Sequence, residues 1–287
     1  MKRACSLNTN KDEISHASSI RQLKTNYFRM KKIALLILAG FISTTYVTCS
    51  PLDKSGNDNK KAIKILSYNV RNCRGLDDVT DYTRVANVIT RVAPDIVALQ
   101  ELDSATQRSN GVVVLNELAF RTNMYKTYSA SIPYQGGKYG IGILTKEKPI
   151  SFRKIALPGR EEKRSMLIVE LKGFFICCAH LSLTAEDRVA SVEIINEALK
   201  NLSKPIFLAG DFNAIPSSVE IKKLEDNWSM LNNPENLTIP SNDPQRCIDY
   251  IFAAKSTNST FKVKKTIVEK EPVASDHLPV WAEIVIN

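Results

Sequence analysis

The chain lacks the cysteine pairs of thiolate metal sites, the aromatic content of stacking surfaces and the long apolar runs of membrane spans. Its 287 residues include three histidines and six cysteines, and no two cysteines form a Cys-x-x-Cys pair, which argues against structural zinc. Aromatic residues make up 7%, too few for the broad stacking platforms of a single-strand nucleic-acid binder. No apolar run reaches the roughly 18 residues of a spanning helix, and no repeat recurs at a fixed period. A large charge excess is also missing from most of the chain. The formal charge is +9, but residues 1–48 hold eight Lys/Arg against two Asp/Glu, so only three of those charges belong to the remainder. That balance excludes a strongly basic nucleic-acid surface, so any preference for phosphate must come from local placement.

What is present begins with a leader. Met30-Lys31-Lys32 precedes the apolar stretch Ile33 to Ile42, and small and hydroxyl residues then lead to Cys49, the order of a secretory signal. Residues before Met30 lack such a pattern, so 1–29 are expected to be an upstream extension, 30–49 a signal peptide and 50–61 a polar linker. Cys49 resembles the acylated cysteine of bacterial lipoproteins, although Tyr46-Val47-Thr48 departs from their usual Leu-Ser/Ala-Gly/Ala pattern. The expectation is an exported protein, periplasmic, secreted or tethered to a membrane through Cys49, and a monomer.

Residues 62–287 read as one domain in which strand-like runs alternate with helical patterns. Ile63–Val70 is the first strand, Asp81–Val92 a helix with Val85, Val88, Ile89 and Val92 on one face, and Ile96–Glu101 the next strand. Further strands are expected at Tyr139–Thr145, Ser165–Leu171, Phe174–Leu181, Pro205–Gly210, Ile248–Ala253, Val263–Val268 and Pro279–Ile286. Several joins are too tight for helical crossovers, which implies hairpins and mixed sheets. Many strands with few helices predict an α/β fold of two packed sheets flanked by helices. Thr184 and Asp187 predict a capping box before a helix that carries Val189, Val192, Ile195 and Leu199. Cys177-Cys178 lie in an apolar run and are expected in the core, as are Trp228 and Trp281.

The strands end on polar residues. The first gives Ser67-Tyr68-Asn69-Val70-Arg71 and the second Leu99-Gln100-Glu101; later ones give Ala179-His180-Leu181, Asp211-Phe212-Asn213, Ile248-Asp249-Tyr250 and Ser275-Asp276-His277. Both histidines outside the leader are among them. Asp211 and Asn213, two apart on an extended chain, would face one spot, whereas a lone Asp-x-Asn is an ordinary Asx turn. Six such strand ends in one chain favour a shared site.

These segments, SYNVR, LQE, AHL, GDFNAIP, IDYIF and SDHLPV over residues 66–281, resemble the endonuclease/exonuclease/phosphatase superfamily, which includes pancreatic-type deoxyribonucleases, abasic-site endonucleases, sphingomyelinases and inositol-polyphosphate phosphatases. The resemblance implies a four-layer α/β sandwich and hydrolysis of phosphoesters that depends on Mg²⁺, with Mn²⁺ as the alternative ion. Asn69 and Glu101 offer oxygen ligands for such a cation, and Asp276 would complete the set. Asp211 would orient or deprotonate the attacking water, and Asn213 would donate to the phosphoryl oxygens. The resemblance pairs His277 with Asp249 as a phosphate contact, with the carboxylate favouring its cationic form. His180 would be a second phosphate contact or the acid for the leaving oxygen.

Arg71, two after Asn69, is expected to share its direction and hold a phosphate; abasic-site enzymes carry an acidic residue there, which argues against that member class. Arg160, Lys163 and Arg164 read as a solvated basic face, with Arg164 as a substrate contact on the alternative view. The favoured substrate is a phosphodiester in nucleic acid or a phospholipid head group; the alternative is a soluble sugar or inositol phosphate monoester. A catalytically silent binding module on the same scaffold would be expected to lack Glu101, Asp211 or His277, and all three are present.

Overall fold

A computed structural model describes residues 62–255 and 261–286. The expectations for residues 1–29, the signal at 30–49, Cys49 and the linker 50–61 lie outside the described residues. Among the described residues no helix is long and apolar enough to cross a membrane.

The fold starts with a parallel β-α-β unit: β1 (Ala62–Asn69), α1 (Tyr82–Val92) and β2 (Ile96–Ser104). Asp81 caps α1 by accepting from the Arg84 N–H at 2.9 Å, and the helix buries Val85, Val88, Ile89 and Val92. The remaining elements are α2 (Val114–Thr122), β3 (Tyr125–Tyr134), β4 (Gly137–Thr145), β5 (Ser151–Leu157), β6 (Arg164–Glu170), β7 (Phe175–His180), α3 (Ala185–Leu199), β8 (Ile206–Asp211), α4 (Val219–Asn227), β9 (Trp228–Met230), β10 (Asp249–Ala254), β11 (Phe261–Val268) and β12 (Val280–Ile286).

Two six-stranded mixed sheets result, ordered β11-β12-β1-β2-β4-β3 and β5-β6-β7-β8-β10-β9. The pairs β1/β2 and β7/β8 are parallel, and the other pairings are antiparallel. Their apolar residues form three cores. Ile65, Ala98, Ile143, Val169, Ile176, Ala209 and Ile251 pack between the sheets. Leu66, Tyr68, Leu99 and Leu102 back onto α1 and α2, and Leu208, Phe212 and Phe252 pack with Val192, Ile195, Ile221 and Leu224 of α3 and α4. This is the α/β sandwich that the strand count predicts. Cys73, Cys177, Cys178 and Cys247 are all buried and free, and Trp228 and Trp281 are buried.

Some expectations fail locally. Thr184 precedes α3, but its hydroxyl donates to Glu161 Oε2 at 3.2 Å, while Asp187 accepts from the Arg160 backbone N–H at 2.8 Å. The capping box therefore does not form; the Thr184 hydroxyl is taken up by a carboxylate from the loop before β6 instead. Strands β3, β5 and β9 and helices α2 and α4 have no counterpart in the sequence reading. Tyr134, Tyr139 and the intervening Gly136-Gly137 belong to the β3–β4 hairpin, with Gly136 at φ 80° in the turn.

Candidate active site

Side chains alternate along each strand, so the inter-sheet face of β1 reads Ile65, Ser67, Asn69 and that of β7 reads Ile176, Cys178, His180. On β8 it reads Phe207, Ala209, Asp211, and β10 adds Asp249 two residues from Ile251. The apolar seam between the sheets thus turns polar at one end, and the site is that end. Glu101 reaches it by a different device. Leu99 and Leu102 both face the outer core, and the β2–β4 register skips between them, so Gln100 and Glu101 share the inner side. Glu101 lies in this bulge at φ 60°, a left-handed conformation that a non-glycine residue holds only under constraint.

The geometry centres on Asp211. Asn69 Nδ2 donates to Asp211 Oδ2 at 3.0 Å and to Glu101 Oε1 at 3.0 Å, and so joins carboxylates from different sheets. The Asn213 backbone N–H donates to Asp211 Oδ1 at 2.9 Å. His180 Nε2 lies 3.5 Å and His277 Nε2 3.7 Å from Asp211 Oδ2. Asp249 Oδ2 accepts from His277 Nδ1 at 2.9 Å. Ser275, quoted in the sequence without a role, fastens the segment before β12: its hydroxyl donates to the Asn69 carbonyl at 2.7 Å.

The two histidines differ in charge. Burial lowers His180 to about 3, the nearby Asp211 opposing the shift and the Arg164 cation adding to it, so His180 is neutral. Burial also works against a charged His277, but Asp249 and Asp211 outweigh it and push His277 up to about 10. Neighbouring titratable groups driven apart in this way are typical of acid–base sites.

Four sequence-predicted residues stand differently from expectation. Asn69 turns its oxygen to the Arg71 N–H at 3.1 Å and its nitrogen to the carboxylates, so it bridges them as a donor and keeps a second lone pair on its oxygen. Arg71 does not continue the strand direction. The chain turns through left-handed Arg71, Asn72 and Cys73, and the guanidinium reaches back until its Nε lies 3.8 Å from Asp276 Oδ2. Arg164 is not on a solvated face but is 7% exposed: its Nη1 donates to Glu162 Oε1 at 2.8 Å and lies 3.2 Å from His180 Nδ1. The charge run Arg160-Glu161-Glu162-Lys163-Arg164 hid this, because alternating charge reads as surface. Asn213 also leaves the strand, at φ 49°, so the Asx turn and the site coexist there. Its Nδ2 donates to the Leu181 carbonyl at 3.0 Å.

Two groupings could hold a divalent cation. Ligand atoms of Asp211, Asp249 and His277 lie within 4.8 Å of one another, and both ring nitrogens of His277 face carboxylates there, so a cation would compete with the ring proton for the imidazole. Glu101 and Asp276 fit better. Burial pushes the Glu101 carboxyl up, the Asn69 donation opposes that, and the Asp276 and Asp211 charges add to it. A hard cation bound to oxygen donors relieves this repulsion.

The comparisons with known proteins agree with the fold. The model of the Endonuclease/Exonuclease/phosphatase family matches residues 66–277. Among solved structures, an endonuclease/exonuclease/phosphatase from Bacteroides vulgatus is 16% identical, with a TM-score of 0.65 over 79% of this chain and 100% of that one. A mannosyl-6-phosphatase from Bacteroides thetaiotaomicron is 19% identical, with a TM-score of 0.61 over 78% of this chain and 99% of that one. The human Nocturnin catalytic domain is 18% identical, with a TM-score of 0.61 over 79% and 95%. No curated protein matches the sequence. Fold and site together define a hydrolase acting on phosphoric ester bonds. The chain belongs to the endonuclease/exonuclease/phosphatase family.

Proposed function

We propose that this protein is an exported phosphodiesterase that uses Mg²⁺, with Mn²⁺ as the alternative ion, and cleaves its substrate by in-line attack of water. The observation that carries the reading is the setting of Asp211, a buried carboxylate fixed by Asn69 and Asn213 between a neutral and a cationic imidazole. Bound at Glu101 and Asp276, the cation would supply Lewis-acid neutralisation of phosphoryl charge. Asp211 is suited to orienting and deprotonating the water, since its carboxylate is locked in one rotation by donors on both oxygens. The His277 imidazolium, oriented by Asp249 through Nδ1, is suited to donating to a phosphoryl oxygen from Nε2. Asn213 spends one amide hydrogen on Leu181 and has a second for the phosphate. Neutral at ordinary pH, His180 suits a phosphate contact better than an acid for the leaving oxygen. Arg164 acts behind it, against the ring, and Arg71 at the Asp276 side, where it is suited to a substrate phosphate.

The substrate class is a phosphodiester, of nucleic acid or of a phospholipid head group. A second reading, removal of phosphate from a soluble sugar phosphate, is supported by likeness to a structure named a mannosyl-6-phosphatase. The leader supports export, and Cys49 supports a lipid tether on a monomeric enzyme. Hydrolysis of bis-p-nitrophenyl phosphate and p-nitrophenyl phosphate, with Mg²⁺ or EDTA and alongside Asp211→Ala, tests the enzymatic part. Metal-dependent turnover of the diester, abolished by the substitution, is expected; turnover of the monoester alone would replace the first reading by the second. Incorporation of labelled palmitate, lost on Cys49→Ser, tests the tether.

A further inference from the structure

Opposite the active site, the edge strands of the two sheets, β3 and β5, lie side by side, bridged by Lys154 Nζ donating to the Ala130 carbonyl. Register fixes which end this is. Tyr125 pairs with Thr145, Thr145 with Ile96 and Ile96 with Ile65, so Tyr125 lies at the end where the chain enters β1 at Ala62, away from Asn69 and Glu101. Ser151 pairs with Glu170, at the far end of β6 from the residue that faces His180.

At that end a groove of about 370 Å³ is lined by Tyr125, Lys126, Lys148, Ile150 and Phe152. Ile150 and Phe152 are 60% and 64% exposed, and Tyr125 is 51% exposed. Large apolar side chains gathered this way mark a contact surface. Lys126 and Lys148 are exposed and make no ion pair among the described residues. Aromatic side chains with an amphipathic ring, aliphatic neighbours and uncompensated lysines on long apolar stems are what a bilayer with anionic head groups binds, the apolar groups at acyl depth and the ammonium groups among the phosphates.

We infer that this groove is a docking face for the surface of an anionic lipid bilayer. Two observations select that occupant: the unpaired positive charge beside the apolar cluster, and the position of Ala62, where the segment carrying the expected tether joins the domain at the same end. The inference rests on the exported reading only for the presence of a bilayer. It also fixes an orientation. A molecule seated on Tyr125, Ile150 and Phe152 holds its cleft toward the aqueous phase, so its substrate is a soluble phosphoester and not a head group of the bilayer it sits on.

The test is co-sedimentation with vesicles of phosphatidylcholine alone and of phosphatidylcholine with phosphatidylserine. The protein is the segment Asp58–Asn287, a compact unit that contains all three cores and lacks the apolar leader. Binding is expected to the anionic vesicles, with partitioning reduced at least about tenfold by Lys126→Glu with Lys148→Glu, and separately by Ile150→Ser with Phe152→Ser. Hydrolysis of the soluble model diester should be unchanged in both variants, which separates failure of the docking face from failure of the enzymatic reading. Equal partitioning of parent and variants, or no partitioning of the parent, overturns the inference. A parent that ignores vesicles but sediments as a dimer, with monomeric variants, gives the face to a second copy and overturns it too.

Discussion

At the scale of single residues, the site works by unequal treatment of two similar side chains. His180 and His277 both approach Asp211, and both are buried; burial keeps the first neutral, with the Arg164 cation adding to it, while at the second the Asp249 carboxylate outweighs the same burial and keeps the ring charged. Asp249 is the strongest influence raising His277, so Asp249→Asn should bring its titration down from about 10 toward the ordinary imidazole range. Nitrogen-15 chemical shifts of the ring, followed against pH, would show this. The sign for stability follows. A folded-state value above the unfolded 6.5 stabilises the fold fully below about pH 6.5, and that contribution is lost as pH rises through about 10. Denaturant midpoints of the parent should therefore fall between those pH values, and those of Asp249→Asn should fall less.

At the scale of elements, loops and strand contacts hold these residues in place. The loop before β6 is anchored by Glu161, which accepts from Ser182 Oγ at 2.7 Å and from the Leu183 N–H at 2.8 Å, just past His180. Burial opposes the charged form of Glu161, but the Ser182 hydroxyl and the neighbouring donors prevail and bring the carboxyl down to about 2. Its stabilisation is present above about pH 4.5 and is lost as pH falls through about 2, so Glu161→Gln should flatten the stability profile over that interval; urea melts from pH 2 to 5 would detect it. Gly210 is a second constraint, since a Cβ there would run into the carbonyl oxygen of Ala179 on the parallel neighbour β7. Gly210→Ala should cost about 1–3 kcal/mol, read as a lower thermal midpoint. Neither constraint shows in the sequence. Buried strands were legible because their apolar runs have no other use, and the polar strand ends were legible because they interrupt those runs. Edge strands β3 and β5 escaped notice because water covers one side and their composition is mixed. The bulge that aims Glu101 escaped as well: Leu99-Gln100-Glu101-Leu102 carries no glycine to announce a positive φ. The capping box at Thr184 was a local rule overridden by a carboxylate 23 residues earlier in the chain.

At the scale of the whole molecule, the site draws Asn69 and Glu101 from one sheet and His180, Asp211 and Asp249 from the other. On the proposed reading, a cation held by Glu101 and Asp276 would stabilise the folded state by mass action. At a Mg²⁺ concentration ten times its dissociation constant this amounts to roughly 1.4 kcal/mol, a rise of about 3–5 °C in melting temperature for a domain of this size. Differential scanning fluorimetry with and without EDTA would show the rise, and Glu101→Gln with Asp276→Asn should remove it. The hydrogen bond from Asn69 to Asp211 spans 142 residues of sequence and crosses the seam between the sheets. It makes the cleft a vernier for the alignment of two independently built plates: a slide of a few tenths of an ångström, too small to break either sheet, displaces the Asp211 carboxylate from the histidines around it. Turnover should accordingly fade in dilute denaturant while far-ultraviolet circular dichroism is still that of the native protein.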